Sequence, residues 1–239
     1  MTMRYLDFTC DAPADYLACE EALLDACESG RSGELLWCWE PRTPFVVLGY
    51  SNPIRSEVRL AACAPRGVAV VRRLSGGGAV LQAPGCLNFS LYLDLTRDAC
   101  ATSRGTTAFV LARHQALLAA LLGRPVAVHG GDLAVENRKC SGSAQRRRQR
   151  VALFHGTFLL SLNMELMDAV LPMPSRQPVY RQDRAHRRFL TTLPVTAARL
   201  TAALREAWDA LTPASAPSAA SIQHLVNTRY AADDWLRKR

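Results

Sequence analysis

The chain is poor in lysine although it is basic. Its formal net charge is +8, yet only Lys139 and Lys238 among its 29 positively charged residues are lysine. Because Lys238 is one residue from the C-terminus, where chains commonly fray, we expect Lys139 to be the lysine inside the fold. An ammonium is a compact point charge and a guanidinium is a planar fork. We therefore interpret Lys139 as a position at which arginine would not serve.

Other absences exclude further classes of protein. None of the eight cysteines has Cys-x-x-Cys spacing or a histidine at zinc-finger spacing, so we predict reduced, buried cysteines and no metal site. No apolar run approaches the ~20 residues that span a bilayer. Asp7 stands where a secretory signal would need an apolar core. We therefore expect a cytoplasmic protein without a membrane partner.

The residues that are present describe a globular α+β chain. Its 239 residues are 49% hydrophobic and 21% charged, which is typical of a folded soluble protein. Several predicted strands are adjacent and hairpin-like, which favours a mixed, largely antiparallel sheet with packed helices. The predicted helices cover residues 13–28, capped by Asp11, 106–122 and about 195–211. The predicted strands cover residues 35–39, 45–50, 68–74, 79–82, 87–95, 126–129, 133–136 and 151–162.

We expect one main domain over residues 1–211. Residues 212–221, rich in proline, alanine and serine, are predicted to be a linker or exposed loop. Residues 222–239 are predicted to close the same domain with a short helical segment. No separate accessory domain is expected.

The first candidate site is a glycine segment between two predicted strands. Three consecutive glycines allow positive φ and close backbone approach, so their N–H groups could cradle a carboxylate or phosphate beside two arginines. The segment lacks the Gly-Lys-Ser/Thr of a P-loop, and Leu81 stands where GxGxxG needs its last glycine. A glycine-rich hairpin beside solvated arginines is the alternative interpretation. The candidate residues are Arg72, Arg73, Ser75, Gly76, Gly77, Gly78, Ala79 and Val80.

Two further segments carry candidate residues. A predicted hairpin brings Asp132 and Lys139 together before the small residues Ser141 and Gly142, although a surface hairpin with a solvated lysine is the more common case. A later strand carries His155, Gly156 and Thr157, where a lone histidine is more often structural than catalytic. Arginine-rich loops at residues 146–150 and 176–188 could close over an anionic ligand or be solvated basic loops.

In this order, the segments resemble the lipoate–protein ligase and octanoyltransferase family. Residues 72–80 look like its RRxSGGGAV motif, and residues 87–90 look like the strand after it. Asp132 with residues 138–145 resembles its ND…GRKxSGSAQ segment, and residues 155–160 its HGTxLL strand. The resemblance covers residues 13–210 and implies the biotin/lipoate ligase catalytic fold. The GRGRxGR-type loop of biotin ligases is absent.

The resemblance implies a two-step reaction with ATP, Mg²⁺ and lipoate. Lipoate would become lipoyl-adenylate, and its acyl group would pass to a lysine of an acidic carrier domain. Lys139 matches the family lysine that contacts the acyl carbonyl and the α-phosphate, while Arg72 and the backbone of residues 77–80 would hold phosphate and acyl group. Leu81 and Phe89 could line the acyl tunnel. Because little chain follows residue 221, a small accessory subunit could act in trans.

Two other functions stay open. Transferases of this family use a catalytic cysteine and no ATP. Here Cys86 and Cys140 stand within the motifs, but neither is at a known nucleophile position, so the ligase is favoured. The basic charge and residues 146–150 also permit a nucleic-acid-binding protein, yet aromatic residues are only 7% and no nucleic-acid motif is present. A nucleic-acid partner is therefore not expected.

Overall fold

The computed structural model describes residues 3–238 and consists of two sheets with helices packed on them. The larger sheet has eight strands in the order β11-β1-β2-β6-β10-β9-β8-β7, and the smaller has the order β4-β3-β5. The strands are β1 Arg4–Leu6, β2 Leu35–Trp39, β3 Phe45–Leu48, β4 Ala69–Arg72, β5 Val80–Gln82, β6 Cys86–Asp94, β7 Ala127–His129, β8 Asp132–Val135, β9 Arg138–Arg147, β10 Val151–Leu159 and β11 Thr212–Pro213.

Nine α-helices alternate irregularly with the strands along the described residues. They are α1 Pro13–Glu28, α2 Ile54–Glu57, α3 Leu60–Cys63, α4 Ser103–Leu122, α5 Met164–Val170, α6 His186–Phe189, α7 Ala197–Ala207, α8 Ala219–Leu225 and α9 Asp233–Leu236. Most pairs in the larger sheet are antiparallel, but β1 pairs in parallel with both β2 and β11. The predicted mixed, largely antiparallel α+β fold is confirmed.

The centre of the larger sheet is buried on both faces. β6 pairs along its whole length with β10, and eight of its nine residues are buried. The alternating residues Leu87, Phe89, Leu91 and Leu93 share one core with α4 and α7, as the period of two predicts. Tyr92, on the opposite face, packs into the core that contains α1. The strand is therefore held by helices on both sides.

The helix predictions agree with the structure apart from their ends. α1 occupies residues 13–28 as predicted, but its N-cap is Ala12 rather than Asp11, and the Asp15 carboxylate accepts a hydrogen bond from the Ala12 N–H. α4 begins at Ser103, three residues early, because Thr102 caps it by accepting from the Gly105 N–H. It ends at Gly123, whose φ of 63° is the left-handed conformation that glycine adopts readily.

Some local predictions differ from the structure. The predicted linker or exposed loop at residues 212–221 is largely an exposed loop, but it also contains β11, which pairs with β1, and the start of α8 at Ala219. Arg146 and Arg147 belong to β9 rather than to a loop. The strand Arg4–Leu6 has no counterpart in the sequence-based prediction, since three residues are too short for a periodic pattern. The predicted segments at residues 1–211 and 222–239 include Met1, Thr2 and Arg239, which lie outside the described residues.

Helix α4 is more apolar than the sequence analysis expected of any segment in this chain. It has 20 residues and a mean hydropathy of 1.2, so by length and composition alone it could cross a membrane. In the fold its residues Val110, Leu111 and Leu118 are buried in the same core as β6. A core helix of this length passes the same test, so the finding is weak evidence for a membrane span.

Arg72 ties the C-terminal segment to the smaller sheet. Its side chain is fully buried, and its guanidinium donates to the carbonyls of Gly49, Tyr50, Asn52, Trp235 and Leu236. Lys238 is not frayed, because its ammonium lies over the Tyr50 and Trp235 rings and bonds the Tyr50 hydroxyl. Arg72 is therefore a structural clasp that lies away from the glycine segment's open side.

The Arg72→Gln substitution is expected to lower the free energy of unfolding by about 2–4 kcal/mol, because it leaves several buried carbonyls without a donor. Urea unfolding followed by circular dichroism measures the change. Arg55→Gln is the matched control, since Arg55 is exposed and is expected to change stability by less than about 0.5 kcal/mol. Equal stabilities for the two variants would contradict the clasp.

Candidate active site

A cavity of about 460 Å³ lies where the two sheets and the loop after α5 meet. Gly77 and Gly78 form part of one wall, and strands β9 and β10 form another. Residues 171–190 complete the enclosure. A cavity of this size is within the range that binds small molecules.

A β-bulge places Lys139 on the cavity wall. Ala134 pairs with Lys139 and Leu133 pairs with Ser141, so Cys140 is the extra residue on β9. Without the bulge, Lys139 and Gly142 would point to opposite faces, because they are three residues apart. With it, both line the cavity beside Asp132, which pairs with Gly142. Cys140 is directed into the core instead.

The Lys139 ammonium is held by a carboxylate that a second group fixes in place. Its Nζ lies 2.8 Å from Asp132 Oδ1, and the Tyr180 hydroxyl donates to Asp132 Oδ2 at 2.9 Å. The Tyr180 ring stacks on His129 with centroids 4.0 Å apart. Burial, with the neighbouring Asp132, raises the pKa of Tyr180, so its hydroxyl keeps its proton and acts as donor. The lysine is thus charged, oriented and open to the cavity.

The glycine segment is organised by Arg73. Its guanidinium donates to the carbonyls of Gly76 and Gly78 at 2.7 and 3.1 Å, and its Nε donates to Ser75 Oγ at 2.9 Å. Burial lowers the pKa of Arg73 to about 10. Gly77 has a φ of 95°. Its carbonyl oxygen lies so close to Gly49 that a Cβ on residue 49 would be 1.9 Å from it. The loop therefore has one conformation, fixed by Arg73 and by a glycine opposite it.

A hydrogen-bonded chain connects this segment to α1. Ser75 Oγ lies 2.6 Å from His155 Nε2, and His155 Nδ1 lies 2.8 Å from Glu20 Oε1. Because Arg73 can only donate to Ser75, the serine hydroxyl is free to donate to Nε2, and Nδ1–H then donates to Glu20. Glu20, buried on α1, lines the cavity with His155. This arrangement fixes the orientation of the imidazole.

A second polar network lines the wall beside Leu81 and Phe89. Gln82 donates to Thr157 Oγ1 at 2.8 Å, and Asn88 donates to Gln82 Oε1 at 2.9 Å. Thr157 in turn donates to Asn88, which closes a ring of three side chains. These three side chains supply one another's hydrogen bonds. With Leu81 and Phe89 they form a wall that is partly apolar and partly polar.

The structure brings most of the predicted site residues to one cavity. Those that line it are Arg73, Gly77, Gly78, Ala79, Val80, Asp132, Lys139, Gly142, His155, Gly156 and Thr157. Arg72, Ser75, Gly76 and Ser141 do not line it. The prediction that Arg72 holds phosphate is not supported by its position, since its guanidinium is bound by the five carbonyls described above.

Several lining residues were not found from the sequence. Glu20 lies on the apolar face of α1, three residues after Leu17 and four before Leu24, and that spacing is a signal that could have revealed it. Trp39 and His129 also line the cavity. They are far apart in the chain, so only the tertiary structure brings them together.

The eight cysteines are all free and buried, as predicted, and none of them lines the cavity. Burial raises the pKa of Cys86 to about 11 and that of Cys140 to about 12. A thiol with such a pKa is almost entirely protonated at neutral pH and is a poor nucleophile. Between residues 3 and 238, no group of three potential metal-ligating side chains is present.

The fold and the cavity define the class of protein. The chain has an α+β catalytic-type fold in which a glycine segment, a lysine and a histidine face one cavity. The model of the lipoyl protein ligase A/B catalytic domain matches residues 12–199, and the chain belongs to that family.

Two curated relatives carry different activities in their names. The chain is 32% identical over 198 residues to octanoyltransferase LipM of Moorella thermoacetica, covering 73% of this chain and 71% of the relative. It is 31% identical over 207 residues to a putative lipoate-protein ligase A of Aeropyrum pernix, covering 86% and 74%. The family is thus shown, while its two reaction types are both represented.

Solved structures share the fold over nearly the whole chain. One is the lipoate protein ligase of a bipartite archaeal lipoylation system from Thermoplasma acidophilum, with a TM-score of 0.79, 21% identity and coverage of 99% and 96%. Another is lipoate-protein ligase A bound with ATP, with a TM-score of 0.80, 21% identity and coverage of 99% of both chains.

The Gly142→Ala substitution is expected to displace the Lys139 ammonium, because the new Cβ would lie 2.5 Å from Nζ. The obstacle is the end of a flexible side chain, so the fold is expected to persist. With ¹⁵N-labelled lysine, the chain gives two Nζ signals, and only that of Lys139 should shift. Gly76→Ala, with no atom within 4 Å of its new Cβ, is the control that should leave both signals in place. An unmoved Lys139 signal in Gly142→Ala would contradict the packing.

Proposed function

We propose that this chain is an ATP-dependent lipoate–protein ligase. The observation that carries the proposal is the reactive wall of the cavity, which presents the Lys139 ammonium and no cysteine. A transferase of the cysteine type needs a thiol at the acyl group, whereas an adenylating enzyme needs positive charge at the phosphate and carbonyl oxygens.

In the first step the lipoate carboxylate attacks the α-phosphorus of ATP, and pyrophosphate leaves with the electrons of the broken P–O bond. Negative charge develops on the phosphate oxygens. Lys139 and the N–H groups of the glycine segment stabilise that charge, because they are already held in place before the reaction. Asp132 keeps the ammonium on the wall, so no side chain has to be reorganised from solvent.

In the second step the amine of an acceptor lysine attacks the acyl carbonyl of lipoyl-adenylate, and AMP leaves. Lys139 stabilises the carbonyl oxygen without forming a covalent bond. The apolar side chains of Leu81 and Phe89 contact the acyl chain along the wall. ATP enters as a substrate with Mg²⁺, which would be held mainly by the substrate phosphates and water; Glu57, which lines the cavity and has one carboxylate oxygen bonded to Ser175, is the protein carboxylate that would fit it.

The acceptor is an acidic lipoyl carrier domain. The chain's net charge of +8 favours encounter with an acidic partner, although charge alone does not fix specificity. The Thermoplasma structure belongs to a bipartite ligase with an E2 lipoyl domain. A small subunit that assists adenylation in trans is the alternative that this relative suggests for the present chain.

The second candidate is an ATP-independent octanoyl or lipoyl transferase. The relative from Moorella thermoacetica, named as an octanoyltransferase, favours it. Against it stand the buried positions and raised pKa values of Cys86 and Cys140. A nucleic-acid-binding function has no comparable support, because arginines of the basic segment at residues 146–150 bond the protein's own carbonyls and carboxylates, as Arg147 and Arg148 do.

Intact-mass analysis of an acidic lipoyl domain is the deciding test. With lipoate and this chain, a lipoyl mass increment is expected only when ATP and Mg²⁺ are present. Synthetic lipoyl-adenylate tests the second step alone, so transfer from it without formation from ATP would indicate that an accessory subunit is needed. Octanoyl transfer from a carrier protein without ATP would overturn the proposal in favour of the transferase.

Variants of the two lysines and two cysteines sharpen the same test. Lys139→Arg is expected to lower transfer at least about a hundredfold, because a planar fork cannot occupy the point position between carbonyl and phosphate. Lys238→Arg is the matched control and should keep activity, as should Cys86→Ser and Cys140→Ser. Full activity in Lys139→Arg, or its loss in a cysteine variant that remains folded, would contradict the mechanism.

A further inference from the structure

The loop between α5 and α6 carries a buried arginine without an acidic partner. Arg181 is 4% exposed and lines the cavity. Its Nε donates to the Arg184 carbonyl, and its Nη2 contacts the Met173 sulfur and His186 Nδ1. In residues 3–238 its Nη1 has no hydrogen-bond partner, and no carboxylate lies within ion-pair distance of its guanidinium.

Such an arrangement is costly without a ligand. A buried cation is disfavoured unless an acidic group or good hydrogen-bond acceptors compensate it, and a thioether is only a weak acceptor. Burial lowers the pKa of Arg181 and also that of His186, so the imidazole beside it is neutral and adds no charge. An anion in the cavity would supply the missing partner through charge-assisted hydrogen bonds.

The backbone of the loop holds Arg181 at this place. Gln182 and Asp183 both have positive φ, 51° and 54°, a conformation that costs energy in residues other than glycine. On one side of Arg181, Tyr180 bonds Asp132, the partner of Lys139. The guanidinium itself stacks on the Phe189 ring at 4.6 Å. The strained turn is thus fixed by contacts that direct Tyr180 to the Lys139–Asp132 pair and Arg181 to the cavity.

The charges on this wall favour an anion with several negative charges. Arg176 also lines the cavity, is exposed, and forms no ion pair within the described residues. The acidic groups nearby are engaged, because Asp132 is bound by Lys139 and Tyr180, and Glu57 accepts from the Ser175 hydroxyl. Two guanidinium groups match a pyrophosphate group better than they match a single carboxylate.

We propose that Arg181, with Arg176, forms a polyphosphate subsite that binds the β- and γ-phosphates of ATP and the pyrophosphate leaving group. The proposal rests on the proposed ligase function and extends it to a residue of the loop. Lys139 then acts at the α-phosphate while Arg181 neutralises charge on the leaving group. Binding of the nucleotide also gives the buried guanidinium its counter-charge, so the loop is ordered by the substrate that it encloses.

Isothermal titration of the wild-type chain and its variants with MgATP, AMP, pyrophosphate and lipoate tests the subsite. Arg181→Gln is expected to weaken binding of ATP and pyrophosphate at least about tenfold and to leave AMP and lipoate within about twofold. Arg176→Gln, at an exposed position that cannot unfold the chain, should weaken the same two ligands by a smaller factor. Arg188→Gln is the matched control, because Arg188 is exposed on α6, directly after this loop, and forms no ion pair among the residues described.

The outcomes separate this proposal from the ligase function. If the wild type and both arginine variants bind ATP and pyrophosphate equally, the subsite is overturned and the ligase function stands. If only lipoate binding is weakened, the guanidinium binds the acyl carboxylate and the proposal is again overturned. If the wild type binds neither ATP nor pyrophosphate, both fall. Thermal unfolding of each variant is measured alongside, and a loss of ATP affinity in the folded Arg176→Gln variant keeps the subsite even if Arg181→Gln unfolds.

Discussion

The ion pair between Lys139 and Asp132 is the interaction on which the site depends. The two residues lie on neighbouring strands of the larger sheet, and the extra residue Cys140 turns Lys139 toward the cavity. Gly142 leaves space for the ammonium, and Tyr180 fixes the other oxygen of the carboxylate. Because each contact constrains the next, a charge that would otherwise be mobile on a long side chain is held at one point.

The wall formed by the glycine segment is organised by a buried cation, Arg73. Arg73 binds the carbonyls of the glycine segment and the Ser75 hydroxyl, and Ser75 connects it to His155 and Glu20. Through this chain the first helix, the glycine segment and the central strand β10 support one another. Because these contacts hold the glycine segment and the His155 imidazole in place at the cavity, little reorganisation is needed as charge develops there.

Neighbouring arginines in one motif have separate roles. Arg72 is the last residue of β4 and Arg73 directly follows it, yet their guanidinium groups bond different parts of the structure. Arg72 binds the carbonyls of the C-terminal segment, and Arg73 binds the glycine segment beside the cavity. The motif thus joins the site to the end of the chain, which explains why residues 219–236 pack as part of the domain. Two neighbouring arginines of one motif therefore have different binding partners and different roles.

The sequence by itself determined the fold class, the positions of the long elements and eleven of the residues that line the cavity. The alternation of apolar residues in 87–95 and their helical spacing in α1 and α4 are patterns between near neighbours, so the sequence is enough to predict these elements. The bulge at Cys140, the clasp of Arg72 and the burial of Arg181 were decided by the tertiary structure. Arg72 reaches carbonyls up to 164 residues away, and the bulge depends on the pairing of β9 with β8. No period of two or 3.6 residues records which carbonyl or carboxylate a side chain will meet.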